Sequence, residues 1–83
     1  MSETIRVAVR LFASLEKARP GLRAGEPLVV ELEARATVRQ LVGTLGVAPE
    51  SIRLAFVNGL VRGFDHVLAD CDRVALFPAI GGG

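Results

Sequence analysis

Residues 68–83 read LADCDRVALFPAIGGG, and this stretch contains the strongest structural signals in the chain. Its DCD segment, residues 70–72, predicts a turn, and residues 73–77, which are apolar after Arg73, predict a strand. Pro78 stiffens the exit from that strand because its ring fixes φ. A glycine run ordinarily marks a linker or a turn, but no second element follows residues 81–83 in this sequence. We therefore expect a thin, flexible tail with a free α-carboxylate at its tip.

Alternation of side chains with a period of two predicts the other strands. It extends over residues 5–12, 28–33 and 52–57, and each segment has one face that is expected to be buried. Asn58-Gly59 predicts a tight reversal into a short fourth strand that begins at residues 60–61. Among the aromatic residues, Phe56 is expected in the core, whereas Phe12 and Phe77 fit either the core or a contact with a partner.

Helical signals occur after the first two strands. Ser14 is expected to cap a short helical turn over residues 15–18. The main helix begins at Thr37, whose hydroxyl and Gln40 have the spacing of a capping box. An apolar stripe follows at helical spacing and consists of Val38, Leu41, Val42 and Leu45. Gly46 fits the left-handed position just past the helix end, and Gly43 is expected to allow close packing on a sheet.

The predicted order is strand, strand, helix, strand, strand, strand. This order favours a two-layer α+β fold, with a sheet of about five strands and one main helix packed on one face. The other sheet face has less cover. Arg6, Arg10 and Arg53 are expected there, together with some apolar side chains.

Composition limits the classes of function. The chain has 83 residues and a hydrophobic content of 51%, so it predicts one small domain with apolar side chains left over for a partner. A net charge of +1 gives no support for nucleic-acid binding. The lone Cys71 excludes an internal disulfide and fits a reducing compartment. With no leader and no membrane span recognisable in the sequence, we expect a cytoplasmic protein that contacts neither membrane nor nucleic acid.

Three segments together resemble the MoaD/ThiS family of ubiquitin-like sulfur carriers, and within it most closely the small subunits of molybdopterin synthase. The segments are residues 36–41, residues 55–59 with 65–68, and residues 68–83. Three features depart from the family pattern: Cys71 replaces the usual glycine, Ala79 replaces a common second proline, and the chain has three terminal glycines. A cysteine would be strained if its position requires a positive φ.

The resemblance implies a β-grasp domain over residues 1–79 and a flexible glycine tail over residues 80–83. It also implies that a MoeB/ThiF-type adenylating enzyme uses ATP to activate the Gly83 carboxylate, which a sulfur-donating enzyme then converts to a thiocarboxylate. Gly81 and Gly82 would enter the partners' active sites. Phe77, Pro78 and Ile80 would contact those partners.

The same resemblance suggests a destination for the sulfur. The molybdopterin synthase large subunit, or another acceptor enzyme, would consume it in molybdenum cofactor biosynthesis. The chain itself would bind no cofactor and would not catalyse alone, and would act as a protein co-substrate and small subunit of a molybdopterin-synthase-like sulfurtransferase. Three alternatives stay open: a thiazole/thiamine-type carrier, a ubiquitin-like modifier joined to lysines, and a plain binding domain with an inert tail. Trimming of Gly83 stays open too.

Other candidate sites carry weaker signals. His66 has no second histidine or cysteine nearby in sequence, so no metal site is expected. Asp65, Asp70 and Asp72 fit turns or a partner-facing acidic patch better than a cation site. Cys71 fits a chance replacement in a turn better than a role in sulfur relay.

Overall fold

A five-stranded sheet forms the centre of the computed structural model, which describes residues 3–78. The strands are β1 (Thr4–Leu11), β2 (Leu28–Glu33), β3 (Ile52–Val57), β4 (Leu60–Val61) and β5 (Arg73–Pro78). Within residues 3–78 the chain forms one α-helix, α1 (Val38–Leu45), and two 3₁₀ turns, Leu15–Ala18 and Pro49–Ser51. The predicted element order is confirmed.

The strands lie in the order β2-β1-β5-β3-β4. The two central strands, β1 and β5, come from opposite ends of the described chain and run parallel, with Leu11 opposite Leu76. All the other neighbouring strands are antiparallel. This mixed sheet with one helix confirms the predicted α+β, β-grasp arrangement.

The core lies between α1 and one face of the sheet. The apolar stripe of α1 is buried completely or nearly so, and the alternating residues of β1 are buried against it: Ile5, Val7, Val9, Leu11, Val38, Leu41, Val42 and Leu45. These positions recur every second residue in the strand and every third or fourth residue in the helix, so each element turns one apolar face inward. The two periods predicted from the sequence are therefore confirmed.

Both ends of α1 are fixed by the residues predicted to fix them. The backbone N–H of Gln40 donates to the Thr37 hydroxyl at 3.3 Å, and the Thr37 N–H donates to the Gln40 side chain at 2.8 Å. Gly46 ends the helix with φ 77°. The capping box and the glycine stop thus limit α1 to 8 residues, and no helix among residues 3–78 is long and apolar enough to cross a membrane.

Two smaller expectations about the helical segments are wrong. Ser14 lies in the left-handed region at φ 85° and its side chain makes no capping bond. Its backbone N–H donates to the Glu16 carboxylate at 2.9 Å. Gly43 is exposed, and a Cβ atom built on it would meet nothing within 4 Å. It does not serve close packing of α1 on the sheet.

A β-bulge in β3 overturns the expected burial of Phe56. Ile52 pairs with Pro78 and Leu54 pairs with Phe77, so Arg53 is an extra residue that the partner strand does not match. The extra residue reverses the alternation. Ile52, Ala55 and Val57 are buried as a result, whereas Phe56 is half-buried on the opposite face.

The predicted turn before β5 is confirmed, and its backbone has a conformation that is unfavourable for a cysteine. Cys71 has φ 70°, in the left-handed region that favours glycine. The turn is nevertheless fixed to β1, because Cys71 N–H donates to the Arg6 carbonyl at 2.7 Å and the Asp70 carboxylate accepts from the Arg6 N–H at 2.8 Å. The Asp72 carboxylate closes the turn by accepting from the N–H of Ala69 at 2.8 Å.

Replacement of Gly43 by alanine should stabilise the fold, since alanine is the better helix former and has open space at this position. We expect Gly43→Ala to raise the free energy of unfolding by about 0.8–1 kcal/mol. Gly46→Ala is the matched control: its Cβ also meets nothing within 4 Å, but its φ is positive. That variant should lose about 1 kcal/mol. Urea unfolding measures both; equal effects of the two variants would contradict this account.

Relief of the backbone strain at Cys71 should also stabilise the fold. We expect Cys71→Gly to raise Tm by about 2–6 °C, because glycine adopts positive φ without a Cβ clash. Cys71→Ala, which removes the thiol but keeps the Cβ atom, should leave Tm nearly unchanged. Thermal unfolding under reducing conditions tests the pair. A gain of equal size in the alanine variant would assign the effect to the thiol rather than to the backbone.

Candidate functional site

The C-terminal end of β5 is the point from which the predicted tail departs. β5 lies between β1 and β3, so Phe77 and Pro78 stand beside the end of β1 and the start of β3. Pro78 closes the strand opposite Ile52. Proline is tolerated at such a strand end although it has no N–H to donate. The predicted site residues Ile80, Gly81, Gly82 and Gly83 lie outside the described residues.

Three aromatic rings cluster beside this strand end, on the sheet face opposite α1. Phe12 and Phe77 stack with their ring centroids 4.6 Å apart and their planes at 5°. Phe56 meets Phe77 edge to face at 5.5 Å. All three are half-buried, and each is next in sequence to a residue whose side chain lies in the core. Phe77 therefore belongs to an aromatic cluster on the uncovered face and not to the core.

The loop after β1 fixes the Phe12 ring. Gly25 N–H donates to the Leu11 carbonyl at 2.8 Å, and Gly25 has φ 76°. A Cβ atom at Gly25 would lie 3.1 Å from the ring carbon Cε1 of Phe12. The absence of a side chain at Gly25 thus lets the loop approach the ring closely, and the loop holds one side of the aromatic cluster in place.

A shallow groove of about 460 Å³ continues from the cluster across the uncovered face. Alanines from the two central strands, Ala8 and Ala75, lie along it beside Phe56 and Phe77. Small side chains between large rings leave space for a side chain from a partner. The sequence indicated that this face has less cover, but the groove depends on the pairing of β1 with β5, which the sequence pattern did not predict.

Two arginines give the groove a cationic border. Arg10 and Arg73 line it, and the Arg10 Nη1 atom donates to the Gly25 carbonyl at 2.9 Å. Arg6 and Arg10 are exposed and lie on this face as predicted, since they alternate with the buried residues of β1. Arg53 is also exposed, at the bulge in β3. The face therefore combines apolar contact area with positive charge.

The thiol of Cys71 lies at the other end of β5, before the first strand residue and far from Pro78. Its Sγ atom is 3.6 Å from an Asp70 carboxylate oxygen. The negative charge of Asp70 and its hydrogen bond with the thiol raise the pKa of Cys71 above its ordinary value. Because the thiolate is the nucleophilic form, this thiol is poorly suited to sulfur relay, which agrees with its interpretation as a turn residue.

The three aspartates considered in the sequence each have a structural partner. Asp65 accepts from the Arg39 guanidinium at 3.1 Å, and the same guanidinium lies 5.4 Å from the centroid of the Phe64 ring. Asp70 accepts from the backbone N–H of Arg6 in β1. Asp72 accepts from the backbone N–H of Ala69 in the turn and from the Asn58 side chain at 2.9 Å. Among residues 3–78 no three His, Cys, Asp or Glu side chains gather in an arrangement that could hold a metal ion.

Solved structures of several other proteins share this fold. The HVO 2177 protein of Haloferax volcanii is 23% identical, with a TM-score of 0.75 over 96% of this chain and 88% of that one. A Pyrococcus furiosus protein assigned as molybdopterin converting factor subunit 1 is 24% identical, with a TM-score of 0.72 over 92% and 99%. Small archaeal modifier protein 1 of H. volcanii is 21% identical, with a TM-score of 0.71 over 92% and 99%.

The sequence also matches a protein family over most of its length, although no curated protein matches it. The model of the Mut7-C ubiquitin family, Ub-Mut7C, covers residues 4–81. Together with the shared fold, this match confirms the ubiquitin-like relationship predicted from residues 36–41, 55–59 and 68–83. The chain belongs to the Mut7-C ubiquitin family.

Proposed function

We propose that this protein is a sulfur carrier whose Gly83 carboxylate is the reactive group. A carboxylate with a pKa near 3.5 is ionised and a poor electrophile at neutral pH, so sulfur cannot replace its oxygen unaided. A MoeB/ThiF-type partner first transfers AMP from ATP to the carboxylate and releases pyrophosphate. A sulfur-donating enzyme then supplies sulfur at the oxidation level of sulfide, which bonds to the acyl carbon of Gly83 as the bond to AMP breaks, so that AMP leaves and a thiocarboxylate forms.

The observation that carries this proposal is the position of the aromatic cluster at the end of β5. Phe77 is the second-last described residue and lies on the uncovered face, one residue before Pro78. A partner that covers this face therefore contacts the chain just where residues 79–83 begin. Fully extended, residues 80–83 span about 13–14 Å, enough to reach an active site below a docked surface. Gly81 and Gly82 suit a narrow passage because they lack Cβ atoms.

The likeness to molybdopterin converting factor subunit 1 supports molybdopterin as the destination of the sulfur. In this role the protein is the small subunit of a molybdopterin-synthase-like sulfurtransferase, and a larger subunit provides the catalytic residues. Phe77, Pro78 and Ile80 contact that subunit and the adenylating enzyme in turn. The reducing cytoplasm is the compartment that the single Cys71 fits.

A second candidate function shares the activation step. The fold is also that of a protein named small archaeal modifier protein 1. As a modifier, the adenylated Gly83 would be attacked by a lysine amine of another protein, and an isopeptide bond would form in place of the thiocarboxylate. The two functions differ only in the nucleophile that displaces AMP, so product analysis separates them.

Incubation with ATP, a MoeB/ThiF-type enzyme and a sulfur source should replace one carboxylate oxygen by sulfur. Intact-mass spectrometry detects the corresponding gain, and fragmentation assigns it to Gly83. Gly82→Val should block the gain with little change in Tm, since a β-branched side chain does not fit a passage made for glycine. Adducts on lysines that survive thiol and denaturant would favour the modifier. A carrier that never gains sulfur, or that still functions with a C-terminal extension, would contradict the proposal.

Replacement of Phe77 by alanine should weaken docking of the adenylating partner. We expect Phe77→Ala to raise the KM for this protein about 10-fold or more, because anchoring aromatic residues carry most of an interface's binding energy. Val67→Ala is the matched control: Val67 is an exposed apolar residue that lines neither the cluster nor the groove. Steady-state adenylation measures both variants, with circular dichroism to check folding. An unchanged KM for Phe77→Ala would exclude the cluster as the docking surface.

A further inference from the structure

β2 is an edge strand of the sheet, and the side of β2 that faces away from β1 is its open border. It pairs with β1 along its whole length, from Leu28 to Glu33, and no strand among residues 3–78 pairs with its other side. β2 has 6 residues, whereas the strand at the opposite border, β4, has only 2. Of the two edge strands, β2 therefore has the longer open border.

The backbone of β2 directs hydrogen-bonding groups toward this open border. Arg6 points its N–H and carbonyl toward the turn before β5, and so away from β2. In an antiparallel pair, a residue opposite such a position also points its groups away from its partner. Glu31 lies opposite Arg6. Val29 lies opposite Ala8, whose N–H likewise points away from β2 and donates to the Asp72 carbonyl. Glu31 and Val29 therefore direct their backbone groups to the open side.

A groove of about 300 Å³ accompanies this border, between β2 and α1. Apart from the core residue Leu32, its lining is small or polar; the lining residues are Glu31, Leu32, Glu33, Ala36, Gln40 and Thr44. Thr44 on the helix and Ala36 before it have short side chains, which leave space beside the strand. A peptide that pairs with β2 would place alternate side chains in this groove, as strand addition requires.

Charge indicates which peptide fits. Glu31 and Glu33 are exposed on β2. Val29, nearer the start of the same strand, is 66% exposed. Arg6 approaches Glu31 only to 3.9 Å, and both side chains are largely in solvent. A second copy of β2 paired antiparallel about Glu31 would bring like charges directly opposite, which is destabilising. That register of self-pairing is therefore disfavoured, and the two glutamates favour a strand with basic side chains.

We propose that the open border of β2 is a strand-addition site for an extended segment of another protein that presents basic side chains at alternate positions. The backbone groups of Val29 and Glu31 supply the pairing hydrogen bonds, and Glu31 and Glu33 select the charge. This surface is separate from the aromatic cluster, because β1 lies between β2 and β5, and Glu31 pairs with Arg6 near the start of β1, whereas Phe12 follows its end.

Amide NMR with a synthetic six-residue peptide that alternates arginine and valine tests the proposal. Saturable shifts and slowed hydrogen exchange at Val29, Glu31 and Glu33 are expected. The same peptide with glutamate in place of arginine should bind at least about tenfold more weakly, since opposite charges become like charges. A peptide with N-methylated pairing amides should also lose binding. Absence of binding, equal binding of the N-methylated peptide, or shifts centred on Phe77 would each overturn the proposal.

Charge reversal in the protein supplies the reciprocal test. We expect the double variant Glu31→Lys, Glu33→Lys to prefer the glutamate peptide, while Glu50→Lys, at an exposed acidic residue elsewhere, keeps the original preference. Sedimentation of the free protein checks the competing occupant, and a dimer with protected β2 amides would overturn the proposal. The double variant should still gain sulfur at Gly83. The two proposals therefore fail separately.

Discussion

The parallel pairing of β1 with β5 is the contact on which the rest of the structure depends. It joins residues 8–11 to residues 73–76, and so closes nearly the whole chain into one loop at the centre of the sheet. Such long-range closure costs entropy before any core contact repays it. The turn at residues 69–72 restricts the movement of β5 relative to β1, because Asp70 and Cys71 bind the backbone of Arg6. The other three strands and α1 pack around this pair.

This pairing also determines where a partner can bind. One face of the central strands is covered by α1, whereas the other presents Ala8 and Ala75 between aromatic rings. The turn closes one end of β5. At the opposite end Phe12 stacks on Phe77, and this contact exists only because two strands remote in sequence end side by side. The fold thus places its uncovered apolar surface at the end of β5 where the chain leaves the sheet.

The sequence predicted the elements whose signals are local, and it failed where a partner strand decides. The capping box of Thr37 and Gln40, the stop at Gly46 and the strands β2 and β3 follow from short-range patterns. The burial of Phe56 was predicted wrongly, since the extra residue Arg53 is recognisable only from the register with β5. The groove was not predicted for a similar reason: alanines signal nothing until their neighbours across the sheet are known.

In the proposed function, docking and tail insertion form one binding event. Fixing residues 79–83 in a single extended conformation in a partner costs about 1–2 kcal/mol per residue of binding free energy, because backbone entropy is lost. Three of these five residues, Gly81, Gly82 and Gly83, offer no side-chain contacts to offset that cost. Binding energy must come from elsewhere, and buried aromatic anchors are the largest common source. With Phe77 docked, insertion becomes an intramolecular step at high effective concentration. The stacked ring pair Phe12–Phe77, preformed at 4.6 Å, also lowers the ordering cost of the docking surface itself.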